Sequence, residues 1–192
     1  MAKTLNTTAR KTLDKTVTKL QPEERPIAEP LISEATPEDL NRIDNDILAT
    51  AIGITADGLE KHKKGKSIVQ VVNTENESED QATIISVINE NMPFLFDSIL
   101  GQINAHTTDV NFLVHPILDV KHEGKKFEVI DKTRPGLVRE KTMRTSVIVA
   151  IIKLQNESAR KKLEQDIKST LLQVNAAVSD WHPMQKRMER SS

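Results

Sequence analysis

The sequence reads as an α+β protein: an antiparallel sheet with two helices on one face, preceded by an N-terminal helical arm. Three observations predict this. Runs rich in β-branched residues, "KSIVQVVNT", "ATIISVIN" and "MRTSVIVAIIKL", all lie after residue 65. Two amphipathic helical patterns are interleaved with them, one between strands and one at the end. The first 64 residues are sparse in apolar positions and hold no strand-like run. The 192 residues therefore divide into an arm with short helices over 1–64, partly flexible, and a sheet domain over 65–192.

In the arm, Leu13, Val17 and Leu20 share one face of a solvated starting helix. "QPEERPIAEP" carries three prolines and predicts an extended linker. "TPEDL" has Thr36 as N-cap, Pro37 at the first helical position and acids in the first turn. Leu40, Ile43, Ile47 and Leu48 continue that helix at helical spacing. A further short helix runs from Thr55 to about His62, with Gly65 ending it.

In the sheet domain, a first strand is expected from Lys66 to Thr74 and a second from Ala82 to Asn89, joined by a polar hairpin connector. A helix from about Met92 to Ala105 buries Leu95, Phe96, Ile99, Leu100 and Ile103. "VNFLVHPILDVKHEG" is a third strand, and Gly124 turns it into a short return strand, "KKFEVIDK". After the loop "TRPGLVREK", the continuous apolar run ending at Leu154 suits a central strand covered on both faces. Asn156 caps a long helix whose seam is Ala159, Leu163, Ile167, Leu171, Val174, Val178 and Trp181. Pro183 is expected to end or kink it.

This order matches a βαββαβ ferredoxin-like unit except that no strand follows the last helix. The strand Lys66 to Thr74 can fill the vacant edge by pairing antiparallel with Ala82 to Asn89. The expected sheet is a ferredoxin-like one with permuted strand order.

Composition narrows the function classes. There are 27 basic and 28 acidic residues, so the basic excess of a general nucleic-acid binder is missing. The chain has no cysteine, which removes disulfides, thiolate metal sites and Cys nucleophiles. The longest apolar run, Val147 to Ile152, is far short of the roughly 20 residues of a membrane span. The basic N-terminus lacks the apolar segment of a secretory signal. None of the six glycines has the G-x-G-x-x-G spacing of a dinucleotide site. His115 and His122 are seven residues apart on one strand and so face opposite sides, and His62, His106 and His182 add no ligand spacing. No metal site and no catalytic residue is expected.

"VINENMPFLFDSI", "VNFLVHPILDVKHEG" and "LLQVNAAVSDWHPM" together resemble the N-terminal region of the large bacterial NAD-specific glutamate dehydrogenases, and the strand-turn-helix resembles the ligand turn of an ACT domain. The matching residues are Asn91, Met92, Pro93, Phe94, Leu95, Asp97 and Ser98, then His115 and Pro116, then Asp180 and Trp181. The resemblance covers roughly Thr36 to Met188. It implies an ACT-like regulatory or assembly domain of a longer cytoplasmic enzyme that oxidises glutamate with NAD. NAD would then bind elsewhere in that enzyme. The implied partners are the remaining domains of the same chain, a homo-oligomer and an amino-acid effector, with neither nucleic acid nor membrane. The alternative is a free-standing ACT-type module that senses an amino acid.

The turn at 89–94 admits two readings. As a ligand site, the N–H groups opening the helix would take a carboxylate, with Asn89, Asn91, Met92, Pro93 and Phe94 around it. As a helix start, Asn91 is an N-cap and Pro93 fixes the first turn.

Overall fold

The computed structural model describes residues 5–75, 81–124, 126–130 and 142–189, with side chains described to residue 179. Four helices come first: α1 (Thr7–Val17), α2 (Arg25–Glu34), α3 (Pro37–Arg42) and α4 (Asn45–Lys61). Then follow β1 (Ile68–Asn73), β2 (Ala82–Glu90), α5 (Leu95–His106), β3 (Val110–Val114), β4 (Ile117–Glu123), β5 (Lys126–Val129), β6 (Thr142–Lys153) and α6 (Glu157–Glu189).

The strands form one antiparallel sheet in the order β1-β2-β6-β4-β5, with β3 also pairing β6. β3 and β4 run end to end along the same edge of β6. Merged into one strand, they give the ferredoxin-like order with β1 in the place of the last strand. The permuted topology expected from the sequence is the observed one, with β5 as an added edge. β6 is the central strand, and its residues from Thr145 to Ile152 are all buried. Period-two alternation splits each central strand between two cores. Ile84, Ile88, Val147, Val149 and Ile151 face one. Ile85, Val87, Ile148, Ala150 and Ile152 face the other, under α5 and α6.

The first of these cores is closed by the N-terminal helices. Ala9, Leu20, Ile27, Leu31, Ile32, Leu48 and Ile52 pack with the sheet residues just named. The segment expected as an arm thus covers the second face of the sheet. α4 approaches it closely at Gly58, where an added Cβ would come within 2.5 Å of Gln70 Oε1 and 2.7 Å of Ile88 Cδ1.

Several expected elements are corrected. The linker expected over 21–30 is helix α2 from Arg25 onward. Pro26 lies in its first turn, where no N–H partner is needed, and Pro30 removes one ladder bond from its interior. The burial of Ile27, Ala28, Leu31 and Ile32 along one stripe outweighs that loss. The helix starting at Pro37 stops at Arg42. Asp44 caps a new one, accepting from Asp46 N and Ile47 N, and that helix runs unbroken to Lys61. The third strand is interrupted at His115–Pro116, where proline has no N–H to give the ladder. The helix after β2 starts at Leu95 rather than Met92. α6 does not end at Pro183 but runs to Glu189. The loop expected over 133–141 lies outside the described residues, as do the side chains of Asp180 and Trp181.

Two caps stand as expected. Thr36 accepts from Asp39 N at 3.1 Å, and Asn156 accepts from Ala159 N at 2.9 Å.

Candidate functional site

β2 leaves the sheet at Glu90. Asn91 N–H donates to Arg144 O at 2.9 Å, so the backbone is tied to β6 one residue further. Two exposed residues follow, Pro93 and Phe94. Phe94 has φ 65, the left-handed region, and is 68% exposed. It also stands at the N-cap of α5, with no side-chain cap bond to the first turn. The expectation that Asn91 caps this helix is therefore overturned: the chain turns back at Phe94, which places Asn91 three residues too early. A β-carbon in the left-handed region costs about 1–2 kcal/mol, and such strain concentrates at functional positions. Replacing Phe94 with glycine is expected to raise stability by roughly 0.5–1 kcal/mol once the entropy of glycine is subtracted. Urea unfolding checks this, and a destabilised Phe94→Gly would mean that the exposed ring packs against something that holds it.

Beneath the turn lies a neutral polar network. Asn89 is only 3% exposed. Its Oδ1 accepts from Ser67 Oγ at 2.6 Å and its Nδ2 donates to Glu90 O at 2.7 Å. Asn175 of α6 donates to Ser67 Oγ at 3.3 Å, which links the last helix to the turn. Opposite Asn89 in the β2–β6 pairing is Ser146, whose hydroxyl shares a short hydrogen bond with His115 Nε2. The His115 ring stacks on Phe96 of α5 with centroids 4.7 Å apart and planes 4° from parallel. Burial lowers the His115 pKa, and the nearby charges of Glu34 and Asp97 only partly oppose this, so the ring is neutral at pH 7.

Of the residues expected at a ligand site, Asn89 is engaged below the turn and Met92 packs on the α5/α6 core. Asn91 is half-buried, while Pro93 and Phe94 face solvent. Ser67, Ser146 and Asn175 were not singled out as ligands by their sequence positions; strand register brings Ser67 and Ser146 here, and the packing of α6 brings Asn175.

A second cluster sits on the opposite side of the sheet. His62, 1% exposed, donates from Nδ1 to Lys66 O at 2.8 Å. A carbonyl can only accept, so the proton is on Nδ1 and Nε2 is a bare acceptor. His122 meets it edge-on with centroids 6.3 Å apart. Both Nε2 atoms are buried with no partner among the described residues. Burial lowers both pKa values. For His62 the bond to Lys66 O opposes this, its neighbour His122 adds to it, and Glu90 opposes it. His115 and His122 thus face opposite sides, as their spacing requires. Among the described residues no group of three or more His, Asp or Glu is placed to hold a metal, and no helix is long and apolar enough to cross a membrane.

The β2–α5 turn, "ENMPF", holds no glycine and belongs to an antiparallel sheet, so it does not fit a dinucleotide pyrophosphate. A family model described as glutamate dehydrogenase, ACT1 domain, matches residues 27–167, a span that includes the whole sheet and the turn. No curated protein and no solved structure matches the chain.

Proposed function

Because the chain belongs to the glutamate dehydrogenase ACT1 domain family, we propose that it is a non-catalytic regulatory and assembly domain of an NAD-dependent enzyme. That enzyme would convert L-glutamate, NAD⁺ and water to 2-oxoglutarate, ammonium, NADH and a proton. NAD would bind in the remaining domains of the same cytoplasmic chain, which are also the first partners of this one. Homo-oligomer contacts belong to the same reading.

The observation that carries the regulatory part is the turn at Phe94. The network of Ser67, Asn89 and Asn175 holds the turn from below. The first-turn N–H groups of α5 receive no side-chain cap. Such groups favour a carboxylate, and the exposed Phe94 ring offers an apolar wall beside them. An amino acid is the effector class that combines these two features. Asp97 in the same turn would meet its ammonium group.

Thermal unfolding with and without millimolar L-glutamate tests this. A ligand at about 100 times its Kd adds about 2.7 kcal/mol and raises the midpoint by several degrees. The shift is expected to disappear in Asp97→Ala, which removes the carboxylate that would meet the ammonium group. If no amino acid moves the midpoint, the effector is lost and only the assembly role stands. Formation of NADH from glutamate by this chain alone would overturn the non-catalytic assignment.

A further inference from the structure

A cleft of about 460 Å³ lies between the C-terminal end of α4 and the β4–β5 turn, lined by Glu60, Lys61, Lys63, Lys66 and Gly124. It is on the far side of Glu90 from the Phe94 turn. Three of its five lining residues are lysines and one is acidic. Lys61 is paired with Asp57 at 2.6 Å. Among the described residues, Lys63 and Lys66 have no carboxylate at ion-pair distance.

These two lysines are also held in place. They are opposed in an antiparallel β-bridge, closed by Lys66 N donating to Lys63 O at 2.9 Å. Residues opposed in this way project their side chains to the same side, with Cβ atoms about 5 Å apart, and like charges so placed repel. The four-residue turn from Lys63 to Lys66 needs Gly65, with φ 75. Two contacts fix it from outside: Gly65 N donates to Glu90 Oε1 at 2.5 Å, and Lys66 O accepts from the buried His62. An added Cβ at Gly65 or Gly124 would meet nothing within 4 Å, so the mouth is open. The turn therefore starts two exposed lysine side chains from the same side of the backbone, beside a cleft whose one acidic lining residue is Glu60, and both ammonium groups can reach an anion seated there.

We propose that this cleft binds a small multivalent anion, and that the anion is a phosphate-bearing molecule. Ammonium groups are strongly hydrated point charges that suit phosphate oxygens, and the volume lies within the range of small-molecule sites.

Isothermal titration of the 192-residue chain with inorganic pyrophosphate, and separately with citrate, at fixed ionic strength, tests the site. Saturable pyrophosphate binding is expected. It should weaken about tenfold or more in Lys63→Gln/Lys66→Gln, since both residues are exposed and their loss leaves the fold intact. Lys11→Gln/Lys15→Gln removes two lysines from a separate pocket, lined also by Thr8, Thr12, Asn41 and Asn45, and should leave the binding unchanged. No saturable heat from either anion, or equal affinity in the Lys63/Lys66 variant, would overturn the site. Tighter citrate than pyrophosphate would overturn the phosphate assignment.

Discussion

Ile32→Ala is expected to destabilise the whole chain by about 2–5 kcal/mol, and removal of residues 1–35 to abolish cooperative folding. Ile32 is 0% exposed and lies in the core that α1–α4 build with β2, β3, β4 and β6. Fully burying one Leu or Ile contributes about 1.5–3 kcal/mol. Leu20, Ile27, Leu31 and Ile32 together reach roughly 6–12 kcal/mol, the scale of a whole domain's stability of about 5–15. Some of this is offset by the entropy of ordering the helices. The rest of the chain has no such compensation: without α1 and α2, the helix α4 that packs on β2 would lose the two helices that cover it. Urea unfolding followed by far-ultraviolet circular dichroism and by hydrogen exchange of the β2 and β6 amides should give one coincident transition, shifted in Ile32→Ala. An unshifted sheet transition, with helix signal lost separately, would show that the N-terminal helices are an independent arm.

That result would also mark where the sequence stops being informative. The sheet was legible because the runs at 68–73, 82–90 and 142–153 are rich in β-branched residues and bounded by polar or turn segments. Their pairing was legible because only one edge of the ferredoxin-like order stood vacant. α2 was hidden by three prolines within nine residues, a composition that usually means extended chain. The signal that could have found it was the stripe Ile27, Ala28, Leu31, Ile32, spaced at one, three and four. The site divides in the same way. Residues 89–94 were recognisable as a unit because they are contiguous. The contact of Ser67 with Asn175, 108 positions apart, and the meeting of His62 with His122 depend on tertiary packing and have no local signature. The left-handed Phe94 was invisible for a different reason: aromatic residues rarely adopt that conformation, so local preference points away from it.

The histidines give the second large effect, a loss of stability as the pH falls below about 6.5. His62, His115 and His122 all have pKa values lowered from 6.5 in the folded chain, first of all by burial. Between the folded values and 6.5 the unfolded chain binds more protons, so the free energy of unfolding rises with pH there. The stabilisation is fully present above about pH 6.5 and is lost as pH falls through the folded pKa values. Each histidine contributes at most one proton, a slope of up to about 1.4 kcal/mol per pH unit. The carboxylates with lowered values, the exposed Glu123 and Glu157 and the half-buried Asp166, are lowered from 4.5 or below, so their part lies at lower pH and is separate. His62 should dominate. Its protonated ring would carry a second N–H with no acceptor, next to His122, against only Glu90 as a nearby countercharge. His62→Gln keeps a donor for Lys66 O but cannot titrate. Its unfolding free energy, measured by urea at half-unit steps from pH 7.5 to 5, should fall less steeply than that of the native chain. Equal slopes in the two proteins would mean that protonation of His62 is accommodated without loosening α4 from the sheet.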